Sequence, residues 1–124
     1  MAVAYLSSRS YRRAALAVRC SPLTSYLFER LRVQSVPLLA IAGRPGLQSG
    51  YTRCERSVVQ AEDDLVWLIQ VGVLRREVDG QGITDSFRLT PLGQAVVSGV
   101  DWRQPVTWWA RLEHWAIRRL RWPG

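Results

Sequence analysis

The stretch WLIQVGVLRREVDGQGITDSFRLTPLGQ, residues 67–94, decides the fold. An apolar helical run reaches Gly72, a residue suited to a left-handed C-terminal cap. Val73 to Val78 then reads as a strand, and Asp79-Gly80-Gln81-Gly82 as a hairpin turn whose glycines tolerate positive φ. Ile83 to Leu89 is the return strand, with Ile83, Asp85, Phe87 and Leu89 on one face of the period-two pattern. Thr90-Pro91 restarts a helix, Thr as cap and Pro in the first turn, and LGQAVVSG (92–99) continues it.

Upstream of the hairpin, residues 55–72 form the clearest helix. Val58, Val59, Glu62, Leu65, Val66 and Ile69 recur at steps of three and four, and Leu68 widens the stripe. Burying Val58, Val59, Leu65, Val66 and Ile69 turns Gln60, Asp63, Asp64, Trp67 and Gln70 outward. GRPGLQSGYT (43–52) carries three Gly and one Pro and reads as a loop. Ser35 to Ala42 reads as a short helix. Ser21-Pro22 starts another, with Ser21 as cap, running to about Val33. Residues 10–19 form the first, with Tyr11, Ala14, Ala15 and Val18 at helical spacing.

Downstream, a helix is expected over Pro105 to Arg121. Steps of 100° place Trp108, Trp109, Leu112, Trp115, Ala116, Leu120 and Trp122 on one arc, and Arg111, His114, Arg118 and Arg121 on a basic stripe opposite. Arg119 sits inside the aromatic arc, where it can stack on Trp115 or Trp122. The segments group as N-terminal helices (1–34), a core (35–99) and a Trp/Arg-rich helix (100–124), all in one domain.

Composition bounds the chemistry. The chain has 124 residues, 48% hydrophobic and 22% charged, as a globular domain should. Its longest apolar run, Val36 to Ala42, is far short of the roughly 20 residues of a membrane span. The net charge is +7, and all 17 cationic residues are arginine. The missing lysine excludes Walker-type phosphate loops and Schiff-base catalysis. Arginine with six Trp suits phosphate or other anionic surfaces, and is also what a GC-rich coding sequence would produce. Residues 61–100, however, hold Glu62, Asp63, Asp64, Glu77, Asp79 and Asp85 against Arg75, Arg76 and Arg88. The surplus positive charge lies before and after that block.

Cys20 and Cys54 are far apart and His114 is the sole histidine, so no zinc pattern exists. Two reduced, largely buried thiols in a cytoplasmic protein are expected. No secretory apolar segment precedes Arg9, Arg12 and Arg13. His114, beside Arg111 and Arg118, is expected neutral. No catalytic constellation is legible, so a non-enzyme without cofactor or metal is expected.

The order helix, short helix, long helix, strand, Gly-rich turn, strand, helix resembles a winged helix-turn-helix domain. WLIQVGVLRRE (67–77) resembles a reader helix running into its wing, DGQG (79–82) a wing tip, and FRLTPLGQ (87–94) the F-x-L-T-x-x-G ending common in bacterial regulator families. The resemblance covers about residues 35–98. The whole chain is also similar to a small uncharacterised group of cyanobacterial proteins. The winged-helix resemblance implies a mainly α fold with a small β-hairpin and a DNA-binding transcriptional regulator. The reader would be the helix at 55–71, with Arg53, Arg56, Gln60, Arg75, Arg76 and Arg88 on duplex DNA. The acids at 62–64 suit phosphates poorly, and the loop 43–54 is longer than such motifs usually carry; it could present Tyr51 and Arg53 to a ligand or partner. The alternative is a non-catalytic winged-helix adaptor that binds another protein. On either reading Trp108, Trp109, Trp115, Arg118, Arg119 and Trp122 are expected to pack on the domain, join a homodimer, rest on an anionic membrane surface, or stack nucleic-acid bases on Trp with Arg at phosphates.

Overall fold

A computed structural model describes residues 9–102 and 108–121, with side chains over 9–102 and 111–118. Helix α1 (Arg9–Cys20) buries Ala14, Ala17 and Val18, small side chains that let neighbouring helices approach closely. Helix α2 (Ser25–Val33) buries Leu27, Phe28 and Leu31. Its cap is Thr24, whose hydroxyl accepts from the Leu27 amide, and not Ser21 as expected. Ser21 instead donates its hydroxyl back to the Val18 carbonyl and closes α1.

Strand β1 (Val36–Pro37) and helix α3 (Leu38–Ile41) replace the single short helix expected over 35–42. Helix α4 (Gly43–Gln48) occupies the expected loop. A Cβ on Gly46 would lie 1.7 Å from the Ile41 carbonyl oxygen, so only glycine permits α3 and α4 to meet there. Helix α5 (Val58–Gln70) starts with a capping box: Ser57 accepts from the Gln60 amide while the Gln60 side chain accepts from the Ser57 amide.

Strands β2 (Leu74–Asp79) and β3 (Gly82–Leu89) form the expected hairpin, with Gly72 (φ 88°) and Gly82 (φ 119°) in the positive-φ region. The three strands form an antiparallel sheet in the order β1-β3-β2, Val36 opposite Phe87 and Leu74 opposite Leu89. Phe87 and Leu89 enter the core, while Ile83 and Val78 stand exposed beyond it near the tip. Helix α6 (Pro91–Gly99) has Thr90 as cap and Pro91 in its first turn. The Thr90 amide donates to the Val73 carbonyl at 3.0 Å, tying α6 to the start of β2. Helix α7 (Trp108–Arg121) lies against α1.

The protein is thus mostly helical, with seven helices and a small three-stranded sheet among the described residues. Leu27, Phe28, Leu31, Val36, Ile41, Leu65, Trp67, Leu68, Val73, Phe87 and Val96 share one core. No described helix is long and apolar enough to cross a membrane.

Candidate functional site

The phase of α5 differs from the sequence reading. Its buried residues are Ala61, Asp64, Leu65, Trp67 and Leu68, whereas Val58 is 48% and Val59 79% exposed. Trp67 and Asp64, expected outside, are 2% and 3% exposed. Two interactions account for this. Arg56, on the segment entering α5, grips both oxygens of the Asp64 carboxylate through one edge of its guanidinium, Nε at 3.0 Å and Nη2 at 3.2 Å. Helix α7 then covers the same flank: the Trp67 indole N–H donates to His114 Nε2 at 3.1 Å, and Arg118 pairs with Asp63 and reaches Asp64 at 3.7 Å. The Arg118 guanidinium also stands 5.9 Å from the Trp67 ring centre.

His114 and Arg118 of the basic stripe therefore face the protein, while Arg111 is exposed. Leu112 and Trp115 of the expected aromatic arc are 42% and 57% exposed. Trp108, Trp109 and Arg119, whose side chains belong to the same expected surface, lie outside the described side chains, and Trp122 lies outside the described residues.

Burial outweighs the attraction of Arg56 and Arg118 and raises the pKa of Asp64. For His114, burial and then the Arg118 charge lower the pKa from 6.5 to about 4. The sequence anticipated the direction from charge; burial is the larger cause. A depressed histidine stabilises the fold above its unfolded pKa, and this stabilisation is lost as the pH falls toward the folded value. His114→Phe is accordingly expected to flatten the fall in melting temperature between pH 6.5 and about pH 4, read by circular dichroism. Asp64 acts with the opposite sign, so the difference between parent and variant isolates His114. An undiminished slope in the variant would remove His114 from the acid response.

The arginines expected at phosphates do not gather on one face. Arg56 is committed to Asp64, and Gln60 to the capping box. On the hairpin Arg75 stands opposite Arg88, and Glu77 lies within ion-pair reach of both, at 3.9 and 3.5 Å. Arg76 pairs with Asp85 at 3.3 Å and lies 5.1 Å from the Phe87 ring centre. With Asp79 at the tip, the hairpin carries as many carboxylates as guanidiniums. Arg44 lies 3.8 Å from Glu55. The outer arc of α5 holds Val59, Glu62, Asp63, Val66 and Gln70 and no cation.

Arg53 goes elsewhere. With Cys20, Ser21, Pro22, Cys54, Arg56, Asp63, Asp64, Arg111, His114, Trp115 and Arg118 it lines a cleft of about 630 Å³ between the end of α1, the segment before α5, and α7. Tyr51 is drawn into the core, stacked on Tyr26 at 5.6 Å. Both cysteines border the cleft, and Cys54 is exposed where a buried thiol was expected. Burial pushes the Cys20 thiol pKa up against the pull of Arg111, Arg19 and Arg53. No single motif announces this cleft in the sequence, because its walls come from three separated segments.

The family model described as Npun_F0494-like matches residues 4–118. The chain belongs to the Npun_F0494-like family. No curated protein and no solved structure matches it. The match runs from before α1 to Arg118, so in the Npun_F0494-like chain both walls of the cleft, with Arg53 and Arg111, lie inside the family's own extent.

Proposed function

We propose that the chain is a non-catalytic winged-helix module that binds a protein partner through the outer face of α5 and the exposed end of its hairpin. The winged-helix reading is supported by the succession α2, β1, α3, α5, β2, β3 and by the strand order β1-β3-β2, with β3 between a two-residue strand and the hairpin partner. The observation that carries the partner class is the outer arc of α5. A helix laid into a DNA groove draws its affinity from cations at the phosphates. This arc offers Glu62, beside an Asp63 already paired with Arg118, with Val59 79% exposed, and the hairpin adds exposed Val78 and Ile83 next to Asp79 and Asp85. Apolar side chains beside carboxylates suit an apolar protein segment that bears basic residues.

A second reading, a DNA-binding regulator, draws on the net charge of +7 and its all-arginine origin. One experiment separates the two. A photo-crosslinking residue is placed at position 59, and in a control at exposed Leu39 on α3. The expected result is a discrete nuclease-resistant adduct from position 59 and none from position 39. A nuclease-sensitive adduct from position 59, together with duplex binding that weakens on Arg75→Ala plus Arg76→Ala, would replace the adaptor reading with the DNA-binding one.

A further inference from the structure

We propose that the cleft between α1, the segment before α5, and α7 binds a small phosphate ester that carries an aromatic ring, the chemical class of a mononucleotide. Arg53 and Arg111 would hold the phosphate, and Trp115 would lie against the ring.

The charges of the cleft divide into two sets. Arg56 and Arg118 are occupied by Asp64 and Asp63. Arg53 and Arg111 have no ion pair among the described residues, and both are exposed. They nonetheless line the same cleft, Arg53 from the segment before α5 and Arg111 from α7. The carboxylates lining the cleft, Asp63 and Asp64, are the ones already engaged by Arg118 and Arg56. Two guanidiniums on the walls of one cleft repel one another, and a dianionic phosphate between them relieves that repulsion while offering oxygens to each fork.

The same cleft supplies a flat apolar surface. Trp115 lines it and is 57% exposed, one turn along α7 from Arg111. An indole beside guanidiniums is a common solution for a phosphorylated planar ring, because every base offers a π-face. The volume of about 630 Å³ falls in the range of small-molecule sites. The cleft shares Asp63 with the outer arc of α5 but not Val59 or Glu62, so its test can fail while the adaptor reading holds, and the reverse.

The test uses the full chain with adenosine monophosphate, adenosine and inorganic phosphate as probes, read by tryptophan fluorescence and by the rate at which iodoacetamide alkylates exposed Cys54. The nucleotide is expected to bind with Kd at or below about 1 mM, at least about tenfold tighter than either half, and to slow alkylation. Arg53→Ala with Arg111→Ala is expected to lose that binding about tenfold or more. Both residues are exposed, so an unchanged melting curve will show that the variant is folded. Absence of nucleotide binding at that concentration would overturn the proposal, as would equal binding of adenosine, equal binding of phosphate, or full affinity in a folded double variant. Binding confined to single-stranded oligonucleotides would overturn the small-ligand class.

Discussion

Trp67→Ala is expected to lower stability by about 4 kcal/mol, as truncation of a large buried aromatic does, and to loosen α7 in the same step. Trp67 is 2% exposed and is the largest fully buried side chain. Its ring fills the junction of α5 with α7, its N–H supplies the partner of His114 Nε2, and its face lies under Arg118. Alanine leaves a cavity and a buried imidazole without its donor. Denaturant titration would measure the loss, and limited proteolysis would report α7, with cleavage after Arg111 or Arg118 accelerated more than cleavage after Arg30 or Arg32. Trp67→Phe keeps most of the volume and removes the donor, so it should fall between. A Trp67→Ala variant of near-parental stability would mean that α7 does not rest on this residue.

Gly93→Ala is expected to be as damaging, at about 3 kcal/mol or more, for one methyl group. A Cβ at position 93 would lie 2.1 Å from the Val73 carbonyl oxygen. That oxygen cannot retreat cheaply, because it accepts from the Thr90 amide, while the Thr90 hydroxyl donates to the neighbouring Gly72 carbonyl. The Gly93 amide meanwhile donates to the Thr90 hydroxyl at 2.9 Å. The first turn of α6 and Val73, the residue before β2, are therefore in close contact, and alanine forces them apart. Gly80→Ala is the control, since a Cβ there meets nothing within 4 Å. Equal melting temperatures for the two variants would contradict this packing.

The hairpin and its flanks were legible because each signal is local. Gly72, DGQG and Thr90-Pro91 specify their own backbone geometry within a few residues. Strand β1 was not legible: two residues cannot show a period, and Val36 is a strand only because Phe87 lies beside it. Helix α4 was hidden by its glycines and proline, which read as a loop until Gly46 is placed against Ile41. The phase of α5 failed for an instructive reason. Sequence hydrophobicity puts Val58 and Val59 inside and Asp64 outside. The carboxylate is buried because Arg56, eight residues earlier, neutralises it, and because α7 returns to cover that flank. Neither partner is visible to a helical period.

The same non-local logic hid the cleft. Arg53 and Trp115 were singled out separately, one for DNA and one for packing or a membrane, and only the fold brings them to one cavity. Arg111 was noted as part of a stripe, and the two cysteines only as thiols. The acids at 62–64, read as poor neighbours for phosphate, do lie partly on the outer arc of α5, and they also hold α7 in place.

The central position of β3 bears on how the molecule could be taken apart. A nick at the open tip, between Gly80 and Gln81, leaves both outer strands on the first piece and the middle one on the second. Reassembly is then an insertion between two waiting edges, with the amino-terminal fragment acting as a slot and the carboxy-terminal fragment as its key. Any protein fused to the two pieces would be reunited by complementation of the sheet itself.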